Sequence, residues 1–181
     1  MKTENTALYI LRLALTLFII AAVVAAALAG VNSITKPVID QLNAEKTQKA
    51  IEAVLPGGFD EELANFDNQG GLVSKVYKGA NGYALEVLPS GFDNTITMMV
   101  GVDTEGKVLG ISIVSHTETA GLGAVAAAQT SAGEAFRGQF VGQSGELAVG
   151  NQIDAMSGAT ITSNAVVTGV NAATAYVANL G

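Results

Sequence analysis

From Leu13 to Thr35 the chain runs for 23 residues, LALTLFIIAAVVAAALAGVNSIT, without one charged side chain. A helix rises about 1.5 Å per residue, so this stretch is long enough to cross the roughly 30 Å hydrocarbon core of a bilayer. It predicts a single membrane helix over about residues 13–34, inside an anchor of residues 1–35. Two other readings compete. Ala25-Ala26-Ala27 and Ala27-Leu28-Ala29 look like cleavage sites of a signal peptide, but the apolar part of such a peptide is only about 7–15 residues long. The other is a helix buried in a protein core. Lys2 and Arg12 on one flank nearly balance Lys36, Lys46 and Lys49 on the other, so charge alone does not orient the helix. Long C-terminal segments translocate largely regardless of charge, which puts the amino end in the cytoplasm and the body outside the cell inner (plasma) membrane. Membrane lipid is then the first expected partner.

The body is acidic. The whole chain carries a net charge of −7, and from residue 38 onward 6 basic residues face 15 acidic ones, a balance of −9. Phosphate backbones repel such a surface, and no basic stripe overrides the repulsion, so nucleic acid is not expected as a partner. The absence of Cys removes disulfides, thiolate nucleophiles, iron–sulfur ligation and zinc ribbons. A single His leaves little from which to build a histidine metal cluster or a Ser-His-Asp hydrolase.

Pro37 disfavours helix at Lys36 and pre-sets a new first turn, so the membrane helix is expected to bend or break there. A stalk helix, residues 36–57, follows: Val38, Ile39, Leu42, Ala50, Ile51, Val54 and Leu55 share one face, and Pro56-Gly57-Gly58 ends it. Period-two or β-branched runs then predict strands at Leu72–Lys78, Tyr83–Leu88, Thr95–Val102 and Val108–Ser115. The loops Gly79-Ala80-Asn81-Gly82 and Asp103-Thr104-Glu105-Gly106 have hairpin chemistry, which makes the sheet antiparallel. Helices are expected at Ala124–Thr130, Ser131–Arg137 and Ser163–Leu180. The fold class is α+β: anchor helix, stalk helix, and a compact domain over residues 58–181.

Two segments of this domain are too particular for ordinary loops. Asp154-Ala155-Met156-Ser157-Gly158-Ala159-Thr160-Ile161-Thr162-Ser163 is a run of small and hydroxylic residues leading into a helix. Free N–H groups and the positive dipole end suit a phosphate, and Gly158 and Ala159 permit close approach. Alternatively, Thr160, Thr162 or Ser163 is simply the helix's own cap. His116-Thr117-Glu118-Thr119-Ala120-Gly121-Leu122-Gly123 connects a strand to a helix. Its glycines suit a flat ligand lying on backbone amides with Leu122 as an apolar contact, or else a plain turn with a solvated Glu118.

Together the two segments resemble the covalent-FMN domain of the Rnf and Nqr respiratory complexes. The pattern Asp-x-x-Ser/Thr-Gly-Ala-Ser/Thr arises by chance in about one in a thousand chains of this length. The H-x-E-T-x-G-L-G loop precedes it by about forty residues, and the resemblance extends to the N-terminal helix, Asn32 and Thr35, and Leu55-Pro56. The short body is more like the G component of the Rnf electron transport complex than the longer C component of Nqr. Ala120 stands where the family loop usually has Pro, which loosens the turn without removing its amides.

The resemblance implies that Thr160 carries FMN through a phosphoester bond, within a pattern including Asp154 that a flavin transferase reads. Ser157, Gly158 and Ala159 then shape the approach, and Thr162 helps hold the phosphate. Glu118, Thr119, Gly121, Leu122 and Gly123 face the ring system, with Tyr83 a weaker stacking candidate better explained by sheet packing. It further implies an electron relay rather than a stand-alone enzyme, working among the other membrane and peripheral subunits of an ion-translocating ferredoxin:NAD oxidoreductase. An Nqr-type quinone reductase, or an anchored extracytoplasmic module without cofactor, are the alternatives. No metal site and no paired acid–base constellation are expected.

Overall fold

A computed structural model of the protein describes residues 6–63 and 71–180. Lys2 and the 64–70 part of the expected domain lie outside the described residues. The chain divides into two compact units, Met1–Glu45 and Lys46–Gly181.

The described residues of the first unit lie within helix α1 (Thr6–Val54). Its most apolar window has a mean hydropathy of 2.6, and none of that window is buried. Leu17, Phe18, Ile20, Val24 and Leu28 all stand exposed. A core helix would hide these side chains, so the buried-helix alternative fails, and the helix is long and apolar enough to cross a membrane. The break expected at Pro37 is absent, since α1 runs straight through that residue as helix. Proline removes only one N–H, leaving the Ser33 carbonyl without its donor four residues on. Beside it Thr35 donates its hydroxyl to the Val31 carbonyl (3.0 Å), and Lys36 makes an exposed pair with Asp40 one turn later (3.2 Å) that adds little.

The second unit is built on a five-stranded antiparallel sheet whose strands lie side by side in chain order. They are β1 (Glu61–Glu62), β2 (Val73–Gly79), β3 (Gly82–Val87), β4 (Thr97–Asp103) and β5 (Val108–Ser115). Short turns set this meander. Asp103 Oδ1 accepts from the Glu105 and Lys107 amides at 2.9 and 2.8 Å, and Gly106 supplies the positive φ that closes the loop. The four strands expected from the sequence are all present, and the two-residue β1 adds a fifth that no pattern predicts. A short 3-10 helix (Gly123–Ala127) stands where a longer helix is expected, followed by α2 (Ser131–Gly138) and α3 (Thr160–Ala178).

Alternation along the strands sends side chains to two cores. On one face Leu85, Val87, Met98, Val100 and Val102 pack with Val166, Val170 and Val177 of α3, with Tyr83 at the margin in the sheet-packing role. On the other, Tyr77, Ala84 and Met99 receive Ala50, Ile51, Val54 and Leu55, from the C-terminal end of α1. Gly101 and Gly110, paired across β4 and β5, admit that helix end. A Cβ at Gly101 would run into the Val54 carbonyl, whereas one at Gly110 would sit 3.6 Å from Val54 Cα.

Candidate functional site

Chain order brings the two unusual segments together. The sheet ends at β5, and the chain leaves it through His116 into the Gly-rich loop; α3 packs back on the same sheet with its first turn beside that loop. Between them lies a cleft of about 300 Å³. Glu118, Thr119, Leu122 and Gly123 line one side, Gly158, Ala159, Thr160 and Thr162 the other. This volume is at the small end for ligand sites, and most of its wall is apolar.

The loop before α3, residues 154–159, is fixed from within. Helix α3 starts at Thr160, three residues before the expected Ser163. Its N-cap is Ala159, which has no side-chain oxygen to offer the first amides. The capping expected of Thr160, Thr162 or Ser163 is therefore not what ends this helix. Ser163, fully buried, instead accepts from the Met156 amide (3.0 Å) and donates to the Ala159 carbonyl (2.9 Å), tying the loop to the helix's first turn. Thr160 projects at the surface of the cleft. The opening of α3 thus offers an uncapped dipole end next to an exposed hydroxyl.

Glu118 is the centre of the arrangement. It is 7% exposed, not the solvated residue of a plain turn. One carboxylate oxygen accepts from the Phe92 amide (2.9 Å) and the Asp93 amide (3.4 Å); the other accepts the hydroxyl of buried Thr162. These donors satisfy a carboxylate that burial would otherwise penalise. Space for it is made by glycine: a Cβ on Gly91 or on Gly123 would collide with the Glu118 carboxylate. His116 plays a local part, its Nδ1 accepting from the Glu118 amide at 3.2 Å. Gly158, at φ +69°, lies against Leu122, where a Cβ would come within 3.0 Å of Cδ2, so the two motifs touch directly.

Not every expected residue lines this cleft. Asp154, Ser157 and Gly121 line a neighbouring one of about 540 Å³, with Leu122 as the shared wall. Asp154 is held there by backbone: its amide donates to Gln139 Oε1 (2.7 Å) and its carbonyl accepts from Gln139 Nε2 (3.3 Å). Phe92 and Ile161 complete the first cleft and lie outside the expected set. The signal for Phe92 is a large aromatic among the polar loop residues Ser90, Asp93 and Asn94. Among the described residues no group of acidic or histidine side chains is arranged to hold a metal ion.

Known families match on both sides of this geometry. Residues 91–175 match the FMN-binding domain family, and residues 1–54 match the RnfG N-terminal region. The protein is thus of the class that joins a membrane-spanning helix to an FMN-binding domain. A relative from Acetobacterium woodii, the G component of the Na(+)-translocating ferredoxin:NAD(+) oxidoreductase complex, is 32% identical over 94% of this chain and 93% of its own length. The G component of an ion-translocating oxidoreductase complex from Methanosarcina acetivorans is 33% identical over 93% of this chain and 94% of its own. The chain belongs to this RnfG family.

Proposed function

We propose that the protein is a single-pass membrane flavoprotein that holds FMN covalently at Thr160 and relays electrons within an Rnf-type ion-translocating oxidoreductase, its domain on the extracytoplasmic side. The observation that carries the reading is the single cleft formed by two segments about forty residues apart in sequence. One offers the exposed Thr160 hydroxyl at an uncapped helix start; the other, Leu122 and Gly123, offers an apolar, closely approachable wall. Those are the needs of a phosphate tail and of a flat ring.

In attachment, the Thr160 oxygen forms a bond to the FMN phosphorus of FAD as the bond to AMP breaks; the hydroxyl proton is lost and AMP leaves. A flavin transferase catalyses this exchange, and Asp154 and Ser157, exposed in the second cleft, are open to it. Once bound, the flavin supplies reversible electron uptake. The chain's own residues do the rest: Thr160 retains, Gly158 and Ala159 allow approach, and Glu118 through Thr162 fixes the first turn of α3 against the ring-side loop. Retention matters most outside the cytoplasm, where a dissociated cofactor is lost, whereas a tether keeps a high effective concentration at the cleft. The other subunits of the complex are the electron donors and acceptors.

Co-expression with a flavin transferase, a denaturing gel viewed under ultraviolet light and an intact mass test this. The expected result is a fluorescent band and a mass gain of FMN less water, both lost in Thr160→Ala. A dark wild-type band with an unmodified mass, beside a positive control for the transferase, overturns it in favour of the module without cofactor.

A further inference from the structure

Phe92 is 66% exposed, yet its backbone is among the best-anchored in the loop that joins β3 to β4. The Gly91 amide donates to the Asn94 carbonyl (2.8 Å), the Ile96 amide to the Pro89 carbonyl (2.9 Å), and Ile96 is buried in the core. The amides of Phe92 and Asp93 end on Glu118, whose other oxygen holds Thr162 in the first turn of α3. A rigid loop therefore presents a large apolar ring to water at the edge of the cleft. A planar ligand in the cleft would cover this ring, and the anchored backbone leaves only the side chain to be ordered.

We propose that Phe92 is a ring-contact residue of the flavin site, and that Glu118 is the positioning residue that holds its loop at the cleft. This rests on the FMN reading above. Neither sequence motif contains Phe92; the hydrogen bonds of Glu118 tie its loop to the site. Gly91 is part of the device, since any side chain there would displace the Glu118 carboxylate.

The test uses the full chain in detergent, loaded with FMN by co-expression with a flavin transferase and checked by the fluorescent band. Iodide quenching of flavin emission then reads ring exposure. Phe92→Ala uncovers part of the ring and is expected to raise the quenching constant by about twofold or more. Phe92→Trp, a change at an exposed position that does not threaten folding, should instead darken the native flavin several-fold by contact quenching, with emission restored on denaturation. Glu118→Ala should reproduce the Phe92→Ala rise, and the double variant should add nothing to it, whereas Glu118→Gln, which keeps an acceptor for the Phe92 amide, should recover most of the protection. A loaded protein whose iodide quenching is unchanged in Phe92→Ala and whose emission is unchanged in Phe92→Trp overturns the Phe92 contact. Additive effects in the double variant overturn the positioning role of Glu118. A wild-type band without fluorescence overturns the FMN reading itself, a separate and earlier failure.

Discussion

Gly101 and Gly110 face each other across β4 and β5, yet alanine should act oppositely at the two. Neither has a positive φ, so the backbone accepts alanine at both and only space differs. At Gly101 a new Cβ overlaps the Val54 carbonyl oxygen and lies 2.7 Å from its carbon, backbone that cannot rotate away. The helix end has two responses. It can detach, exposing Ile51, Val54 and Leu55, which are 1%, 1% and 0% exposed in place; at about 1.5–3 kcal/mol per side chain that costs about 4.5–9 kcal/mol. Or it can shift on the sheet, the usual cost of overpacking being about 1–3 kcal/mol. The cheaper path prevails, and at roughly 2–4 °C per kcal/mol the melting point should fall by about 2–12 °C. At Gly110 the nearest atom is at ordinary contact distance, 3.6 Å, so alanine should be neutral or stabilise by about 0.4–1 kcal/mol by restricting the unfolded chain. Scanning calorimetry of the full chain in detergent measures both. Equal shifts for the two variants, or no shift for Gly101→Ala, would refute the claim that the helix end is seated in a glycine notch.

Other expectations are equally specific. Ser163→Ala leaves the buried Met156 amide without its acceptor and should cost about 1–3 kcal/mol, read as a lower melting point, while also lowering FMN incorporation by freeing the acceptor loop. Gly158→Ala puts a side chain at φ +69° and presses on Leu122, so about 1–2 kcal/mol of strain and a smaller fraction of modified protein by intact mass are expected. Tyr77 is pushed up to about 12 from 10.0 by burial first, then by the nearby Glu62 and Glu86 charges. The folded state thus keeps a proton that the unfolded chain releases above its ordinary value, so stability is unaffected below pH 10.0 and declines as pH rises from there to about 12. Alkaline unfolding followed by tyrosinate absorbance should lose this dependence in Tyr77→Phe.

What is legible in the sequence follows local chemistry. Asp103 to Gly106 carries its own turn instructions, and Gly79 to Gly82 likewise, so the antiparallel order of β2 to β5 can be read directly. The acceptor and Gly-rich segments are legible as unusual residues in pattern, and the cleft joins most of them. Sequence and structure part where distant partners decide. Pro37 points to a break in α1, yet the lost amide and the crowding of the Ser33 carbonyl, together about 3 kcal/mol, are borne by a helix that continues on both sides. A hydroxyl beside a helix suggests a cap and so a start of α3 at Ser163; that hydroxyl is turned inward to Met156 instead. An aromatic among polar loop residues marks Phe92 as unusual, but its tie to the cleft runs through hydrogen bonds to a residue 26 positions away, which the local sequence does not encode. Glu61 and Glu62 form a strand only because β2 offers them an edge.

Glu118 also bears on the order in which this domain becomes competent. Its carboxylate draws together the loop after β3, the loop after β5 and the first turn of α3, the last of these 44 residues away. If one donor is missing, a charge remains under-solvated in an enclosed place, a state that the rest of the structure resists. A cleft with one of these donors missing is therefore disfavoured relative to the finished one. On the proposed function, a transferase that reached Thr160 on this helix start would meet three remote stretches already joined at one carboxylate.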